Sequence, residues 1–508
     1  MPEGSQADSP EWLPAPMNRR SGAIQETPGD VLELARRPSI RLAVMNAFVT
    51  IVLVVATLAI CVSCITVRTP RAFCTILAMA WLFMPAGTID LPGLPGLNKV
   101  TGVGLALLAG ALMSPMARPI RFHWVDGAVL MFGIAPLASS LTSGLGLYDG
   151  VSSVMVQVLT WSTPYLAGRM VLHGRAGLEG VLFAIGVGGI VYVPLCVLEL
   201  AISPQLHRIV YGFHQHAFIQ TVRGDGFRPM VFMQHPLATA LWMATATIAL
   251  LGLRTTAKSV MAKTVWTVSA VVVGIVTVAC KSAGAFVLLL GALGGFFAAT
   301  SVGFIWPLYA MALVLPVFIG LRLIGISLGD LVVELAGVFE EGRAMSLQTR
   351  LDNEERLLFK AFERLVFGHG SQFHIKDVFG DAETTADSMW IIALGRQGLF
   401  GFIGFVGMLA GAPLAAIRGA AQRRSTGRRS ESAVKVAVLI IVMVFAMDCI
   451  FNAMLNPIIV MAAGALVTNR MPAPVRRRRR RLKPVGPVDE TKADEASGGL
   501  GPGFGTIK

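Results

Sequence analysis

Only 14% of the 508 residues are charged, so chemistry is to be sought where polar side chains gather. Two stretches hold most of them. Residues 201–228 include His207, Arg208, His214, His216, Arg223, Asp225 and Arg228. Residues 328–390 include Arg350, Arg356, Arg364, His369 and Asp387. Carboxylates and imidazoles at such places can accept protons. Acidic residues outnumber basic ones in the second stretch, so an exposed salt bridge is the plain reading of any one arginine there. Two further carboxylates stand apart. Glu199 closes an apolar run and can simply mark an interface, whereas Asp448 lies deep inside another run. An intramembrane carboxylate is costly and is usually functional or paired. The chain has no GxxxxGK[ST] phosphate loop, no HExxH, no metal-type Cys/His cluster and no DxD pair. ATP-driven transport and nucleotide-sugar chemistry are therefore not expected, and no metal or cofactor is implied.

The elements that must position these residues are membrane helices. Hydrophobic residues make up 54% of the chain, and the mean hydropathy is +0.66. Apolar spans run near 42–66, 72–89, 100–116, 125–142, 151–170, 177–200, 229–253, 264–280, 283–304, 305–327, 391–417, 433–451 and 454–469. The expected fold is an all-α polytopic membrane protein with about 12 transmembrane helices, or 13, and two long extracytoplasmic loops. Arg118, Arg121, Arg254, Lys258, Lys263, Arg418 to Arg429 and the run Arg476 to Arg481 mark cytoplasmic loops. They place 201–228 and 328–390 on the opposite side, outside the cytoplasm. Arg19, Arg20, Arg36, Arg37 and Arg41 ask for a cytoplasmic N-terminus, but three spans before Arg118 give the wrong parity. Either one of those three is not a full crossing, or the N-terminus lies outside. The reading is a disordered cytoplasmic segment 1–40, a bundle 41–470, and a basic then disordered cytoplasmic tail 471–508. The first helix serves as an uncleaved targeting signal. The net charge of +13 follows the loops and does not indicate nucleic acid. The six cysteines, with Cys61 and Cys64 in CxxC spacing, all lie in or beside apolar runs and read as small packing residues. Within 328–390, Leu347, Leu351, Leu358, Phe362 and Leu365 recur at helical spacing and form an apolar stripe.

Four stretches resemble the superfamily of O-antigen ligases and O-antigen polymerases, with the nearest likeness to its exopolysaccharide polymerases. They are WSTPYLAGR at 161–169, ELAISPQLHRIVYGFHQHAFIQTVRGDGFRPMVFMQHPL at 199–237, RLDNEERLLFKAFERLVFGHG at 350–370 and DSMWIIALGRQGLFG at 387–401. Ligases of the superfamily typically carry His, then Asn, Ser or Gln, nine residues and G-x-x-G. Ser388, Gly398 and Gly401 keep that frame, with Asp387 where the histidine would stand. Lys281 before Ser282 stands near the family's Ser-Arg position. The resemblance implies a glycosyltransferase at the periplasmic face of the bacterial inner membrane, with a cytoplasmic C-terminus. It would polymerise polyprenyl-diphosphate-linked repeat units, alongside membrane lipid and polysaccharide export or assembly proteins. It implies Arg223, Arg228, Arg350 and Lys281 around the diphosphate, since the arginine fork holds two phosphate oxygens and stays charged. It implies Asp387 as base with His369 behind it, and leaves Glu199 and Asp448 as further polar positions. Arg228 can instead anchor headgroups, and Asp387 can instead cap the next helix. A ligase moving finished glycan, or a lipid-linked oligosaccharide flippase, is the alternative. A flippase would spread charge over many helices, whereas here it gathers in loops.

The charge distribution predicts that Gln372 is labelled by a membrane-impermeant thiol reagent in intact cells once replaced by cysteine. No labelling of a site that reacts after lysis would reverse the topology.

Overall fold

The computed structural model describes residues 28–91, 94–224, 226–326, 341–373, 386–424 and 429–469. The expectations for residues 1–27, Asp225, the loop parts 327–340 and 374–385, Arg428 and the tail with Arg476 to Arg481 fall outside those residues. Of the two units, Met1–Arg470 and Met471–Lys508, the first holds all the described residues.

Helix is what lipid demands of apolar segments, because each buried N–H and C=O must find a partner within its own segment. α1 (Pro28–Thr66) begins inside the segment expected to be disordered, turns at 67–69 and returns as α2 (Pro70–Phe83). A hairpin of β1 (Thr88–Leu91) and β2 (Leu94–Asn98) leads to α3 (Lys99–Met113), which Asn98 caps. α4 (Trp124–Thr142) precedes α5 (Gly146–Gln157) and α6 (Thr163–Val171), joined by a π-helical turn at Val158–Ser162. α7 (Gly174–Ile202) is followed by α8 (Leu206–Tyr211) and a short hairpin, β3 (Val222–Arg223) with β4 (Gly226–Phe227). Next come α9 (Pro236–Arg254), α10 (Val260–Ala279), α11 (Ala283–Phe297) and α12 (Trp306–Leu323). α13 (Glu341–Glu363), α14 (Met389–Leu409), α15 (Gly411–Arg424), α16 (Arg429–Asp448) and α17 (Pro457–Thr468) complete the described chain. Eight helical segments are long and apolar enough to cross a membrane, and α2, α3 and α17 are shorter apolar helices. The protein is mostly helical and membrane-embedded, as its composition requires. α16 and α17 are its centre, with Val434 to Phe445 and Ile458 to Val467 almost wholly buried. α17 lies directly against α6, where Gly464 faces the Tyr165 carbonyl and Gly168 the Met461 carbonyl. Small residues at such crossings bring backbones into contact.

Polar bonds gather the helix ends into two rims. At one, the Tyr192 and Tyr211 hydroxyls donate to the Leu82 and Phe83 carbonyls at 2.5 and 2.6 Å. Phe48 of α1 packs on Tyr211 at the same end. The Met389 N–H of α14 reaches the Cys449 carbonyl beyond α16 at 3.1 Å. At the other rim, Arg169 forms a buried bidentate pair with Asp126, Nε to Oδ1 at 2.9 Å and Nη2 to Oδ2 at 2.8 Å. The Tyr165 hydroxyl donates to the same carboxylate, and Arg169 Nη1 donates to Thr468 Oγ1 at 2.8 Å. The polar residues of the 161–169 stretch thus clamp α4, α6 and α17 together at the rim opposite Arg350.

Two apolar runs depart from simple helices. The run 229–253 becomes helical only at Pro236, because His235 takes an extended conformation (φ −155°, ψ 150°) as N-cap, as residues before proline tend to do. The run 391–417 is interrupted. Gly398 sits at φ +61°, and the N–H groups of Leu399 and Phe400 donate to the Leu365 and Val366 carbonyls at 2.7 and 3.1 Å. The segment after α13 is wedged into the break and satisfies the N–H groups that the kink releases. A Cβ at position 398 would collide with the Val366 carbonyl. The G-x-x-G signature is therefore a backbone requirement. Gly398→Ala is expected to lower the melting temperature in detergent, since the left-handed conformation alone costs about 1–2 kcal/mol before the collision is counted. An unchanged melting temperature would show that the wedge is dispensable.

Candidate functional site

The site is built on a carboxylate at the end of α7. Glu199 is buried in the last turn and accepts three backbone N–H groups, from Leu206 at 3.1 Å and from Met230 and Val231 at 2.7 Å each. The other backbone groups of the 230–233 segment are also held. Thr239 Oγ1 donates to the Met230 carbonyl at 3.0 Å, and Gln215 Nε2 donates to the Val231 and Met233 carbonyls at 2.9 and 3.0 Å. The buried Lys99 ammonium donates to the Phe232 carbonyl at 2.9 Å and lies over the Trp81 ring. Val231 is held at φ +53°, a conformation a β-branched residue takes only when its surroundings impose it. This braced segment carries Arg228 at its start and His235 at its end, both buried.

His235 caps α9 by accepting the Leu237 N–H at Nδ1, 3.1 Å. The proton of the neutral ring therefore sits on Nε2. The ring stands edge-to-face with His216, centroids 4.8 Å apart. Burial, then His216, Arg228 and Arg350, push the imidazole down to about 3, so it is uncharged at neutral pH. His207 is of another kind: Nε2 accepts the Ala86 N–H at 3.2 Å and Nδ1 meets the Phe213 carbonyl at 2.8 Å. Both nitrogens are occupied, and the residue pins the turn after α2.

Arg350 comes from α13. Its Nε lies 3.7 Å from Asp387 Oδ2, and its Nη1 reaches Asn452 Oδ1 at 3.3 Å and the Phe451 carbonyl at 3.4 Å. Asn452 Nδ2 donates in turn to Asp448 Oδ1 at 2.7 Å. Asp387 is partly exposed beside Arg350, while the N-cap position of α14 belongs to Ser388. α13 is docked by Glu354, which pairs with Arg322 at 3.2 Å and accepts from Ser388 Oγ at 3.1 Å. Burial raises the Glu354 pKa, with Arg322 opposing. The buried face of α13 is Leu351, Glu354, Leu357, Leu358 and Ala361, and the stripe expected from the sequence is rotated from it, since Phe362 points outward.

The expected site residues divide accordingly. Arg350, Asp387 and Asp448 form one group through Asn452, while Glu199 braces the segment that carries Arg228. Lys281, with φ +51°, donates to the Arg223 carbonyl at 3.4 Å, so these two tie the α10–α11 turn to the β3–β4 hairpin. His369 does not stand behind Asp387. Its backbone N–H donates to the Gly395 carbonyl and its Nε2 meets the Lys360 carbonyl at 2.7 Å. Gly395 is two turns along α14 from Asp387, about 12 Å at the helical rise, so His369 belongs to the wedge at the kink. Reading the sequence passed over His235, Asn452, Lys99 and Glu354. The His-Pro pair at 235–236 was the available signal for the first. Among the described residues no group of acidic, His and Cys side chains could hold a metal ion. Arg350 with Asp387 beside it, and the buried Arg228 and neutral His235 of the braced segment, are the candidate site residues. No protein-family model and no curated protein matches the chain.

Glu199→Ala strands three N–H groups, each costing about 1–3 kcal/mol if left unmet. Amide hydrogen exchange should accelerate across 229–235 while α16 and α17 keep their protection. Unchanged exchange in 229–235 would mean that the loop is held by other bonds.

Proposed function

We propose that this protein is a metal-independent glycosyltransferase that joins polyprenyl-diphosphate-linked oligosaccharide units into exopolysaccharide or O-antigen. The observation that carries this reading is Arg350, held between Asp387 and Asn452 at the rim that also carries Arg228. An acceptor hydroxyl attacks the anomeric carbon of the donor, the new C–O bond forms, and the bond to diphosphate breaks. Asp387 takes the hydroxyl proton, and Arg228 and Arg350 neutralise the charge that develops on the departing lipid diphosphate. Arg223 and Lys281 extend the basic surface along the lipid or glycan. Polyprenyl-diphosphate glycan is the substrate, and polysaccharide export or assembly proteins are the partners.

The membrane is the bacterial inner membrane, with the Arg350 rim periplasmic and the C-terminus cytoplasmic. Arg68, in the α1–α2 turn, and Arg71, in the first turn of α2, add to the basic residues of the opposite rim, where Arg71 lies over Phe183 of α7. Their position favours about 13 crossings with the start of α1 outside, by the same charge rule that orients the other loops.

Arg228→Ala and Arg350→Ala should each abolish polymer while the protein still inserts, by analogy with lost electrostatic donors worth roughly 3–4 kcal/mol. Arg→Lys should restore activity only in part, because the two-pronged contact is lost. Asp387→Asn should be inactive at normal folded yield, and Asp387→His should keep some activity. Wild-type polymer from both alanine variants would remove the diphosphate assignment. Size analysis of surface glycan after gene deletion separates the polymerase from the ligase, which would leave long polymer on its carrier.

A further inference from the structure

The Asn452 amide has two chemically different edges, and its neighbours decide which way each faces. Asp448 Oδ1, 2.7 Å from Nδ2, accepts the amide hydrogen. On the other side, Arg350 Nη1 at 3.3 Å can only donate, so it requires Oδ1. The two demands agree, and Asn452 is locked in a single orientation. Both residues are buried. Asn452 is also fixed through its backbone, since its N–H donates to the Asp448 carbonyl at 2.9 Å and its carbonyl accepts from Met389 at 3.3 Å. The guanidinium of Arg350 is thereby held along two edges, Nε toward Asp387 and Nη1 toward Asn452 and the Phe451 carbonyl. Its Nη2 has no hydrogen-bond partner among the described residues.

We infer that Asp448 and Asn452 are a positioning pair that fixes the Arg350 fork so that its Nη2 edge is presented to the donor diphosphate. The inference rests on the glycosyltransferase reading and deepens it. Asp448 acts as the hydrogen-bond acceptor that orients Asn452. It never touches substrate, and its whole effect passes through Asn452 and Arg350. A leucine at 448 keeps the branch at Cγ but removes the acceptor. Asn452 then loses what holds its nitrogen away from Arg350. An asparagine at 448 still offers a carbonyl oxygen to Asn452 Nδ2.

The test is calorimetric binding of inorganic pyrophosphate to the detergent-purified full chain, with polymer yield measured in parallel. Asp448→Leu should weaken binding about tenfold, the scale of one lost hydrogen bond to a charged group, without lowering the melting temperature. Asp448→Asn should recover most of that loss. In an Arg350→Ala background neither substitution should weaken binding further, because residues acting through one group are not additive. Asn452→Leu should reproduce the loss and its non-additivity, and serves equally if a position-448 variant does not fold. An equal loss from Asp448→Leu with and without Arg350 would overturn the positioning role and leave the Arg350 assignment standing. So would an Asp448→Asn variant as impaired as Asp448→Leu. Unchanged pyrophosphate affinity in Arg350→Ala itself would overturn the inference and the diphosphate site together.

Discussion

A carboxylate in a membrane helix is tolerable only when its lone pairs meet donors, and Glu199 meets three backbone N–H groups. The placement of Arg228 and His235 follows from that contact. The chain leaving α7 is folded back so that Met230 and Val231 reach Glu199, which forces Val231 to positive φ. The forced turn keeps 229–235 out of helix until Pro236. Arg228 and His235 are then carried on a segment whose carbonyls are occupied by Thr239, Gln215 and Lys99. A loop so fixed holds its arginine in one place, which is what preorganisation for a ligand would require.

The second half of the rim is held by a different device. α13 has a charge at the centre of its buried face, and the Glu354 contacts to Arg322 and Ser388 set its position. Its end is then wedged into the break at Gly398. Arg350, on the same helix, inherits a fixed place beside Asp387. The opposite rim shows the contrast. There Arg169 and Asp126 satisfy one another with Tyr165 and Thr468, so that arginine is a clamp. At the other end Arg350 stays partly exposed beside a partly exposed Asp387.

Much of this was legible in the residues. Apolar runs marked the helices because lipid leaves a chain few other choices. The gathering of arginines between runs marked the polar rim. Asp448 was identifiable as a residue in need of a partner, but Asn452 is one helical turn away across the end of α16, and nothing in spacing distinguishes it from Asn456, which instead caps α17. Gly398 was identifiable as part of a motif, yet a glycine's φ is invisible in sequence and depends on the 365–366 carbonyls that arrive from α13. Glu354 misled the stripe reading because a buried ion pair looks, residue by residue, like an exposed one. His369 was placed behind Asp387 by the resemblance alone, but its ring meets the Lys360 carbonyl.

The central claim is that the rim bearing Arg228 and Arg350 receives a lipid diphosphate. A polyprenyl diphosphate carrying a photoreactive group next to the diphosphate, cross-linked to the full chain in nanodiscs and mapped by peptide mass, tests it most directly. The account predicts adducts confined to the segment 228–235 and to α13 around Arg350, competed by unlabelled lipid diphosphate and lost in Arg350→Ala. Adducts at the Arg169 rim, or adducts that persist without Arg350, would contradict it.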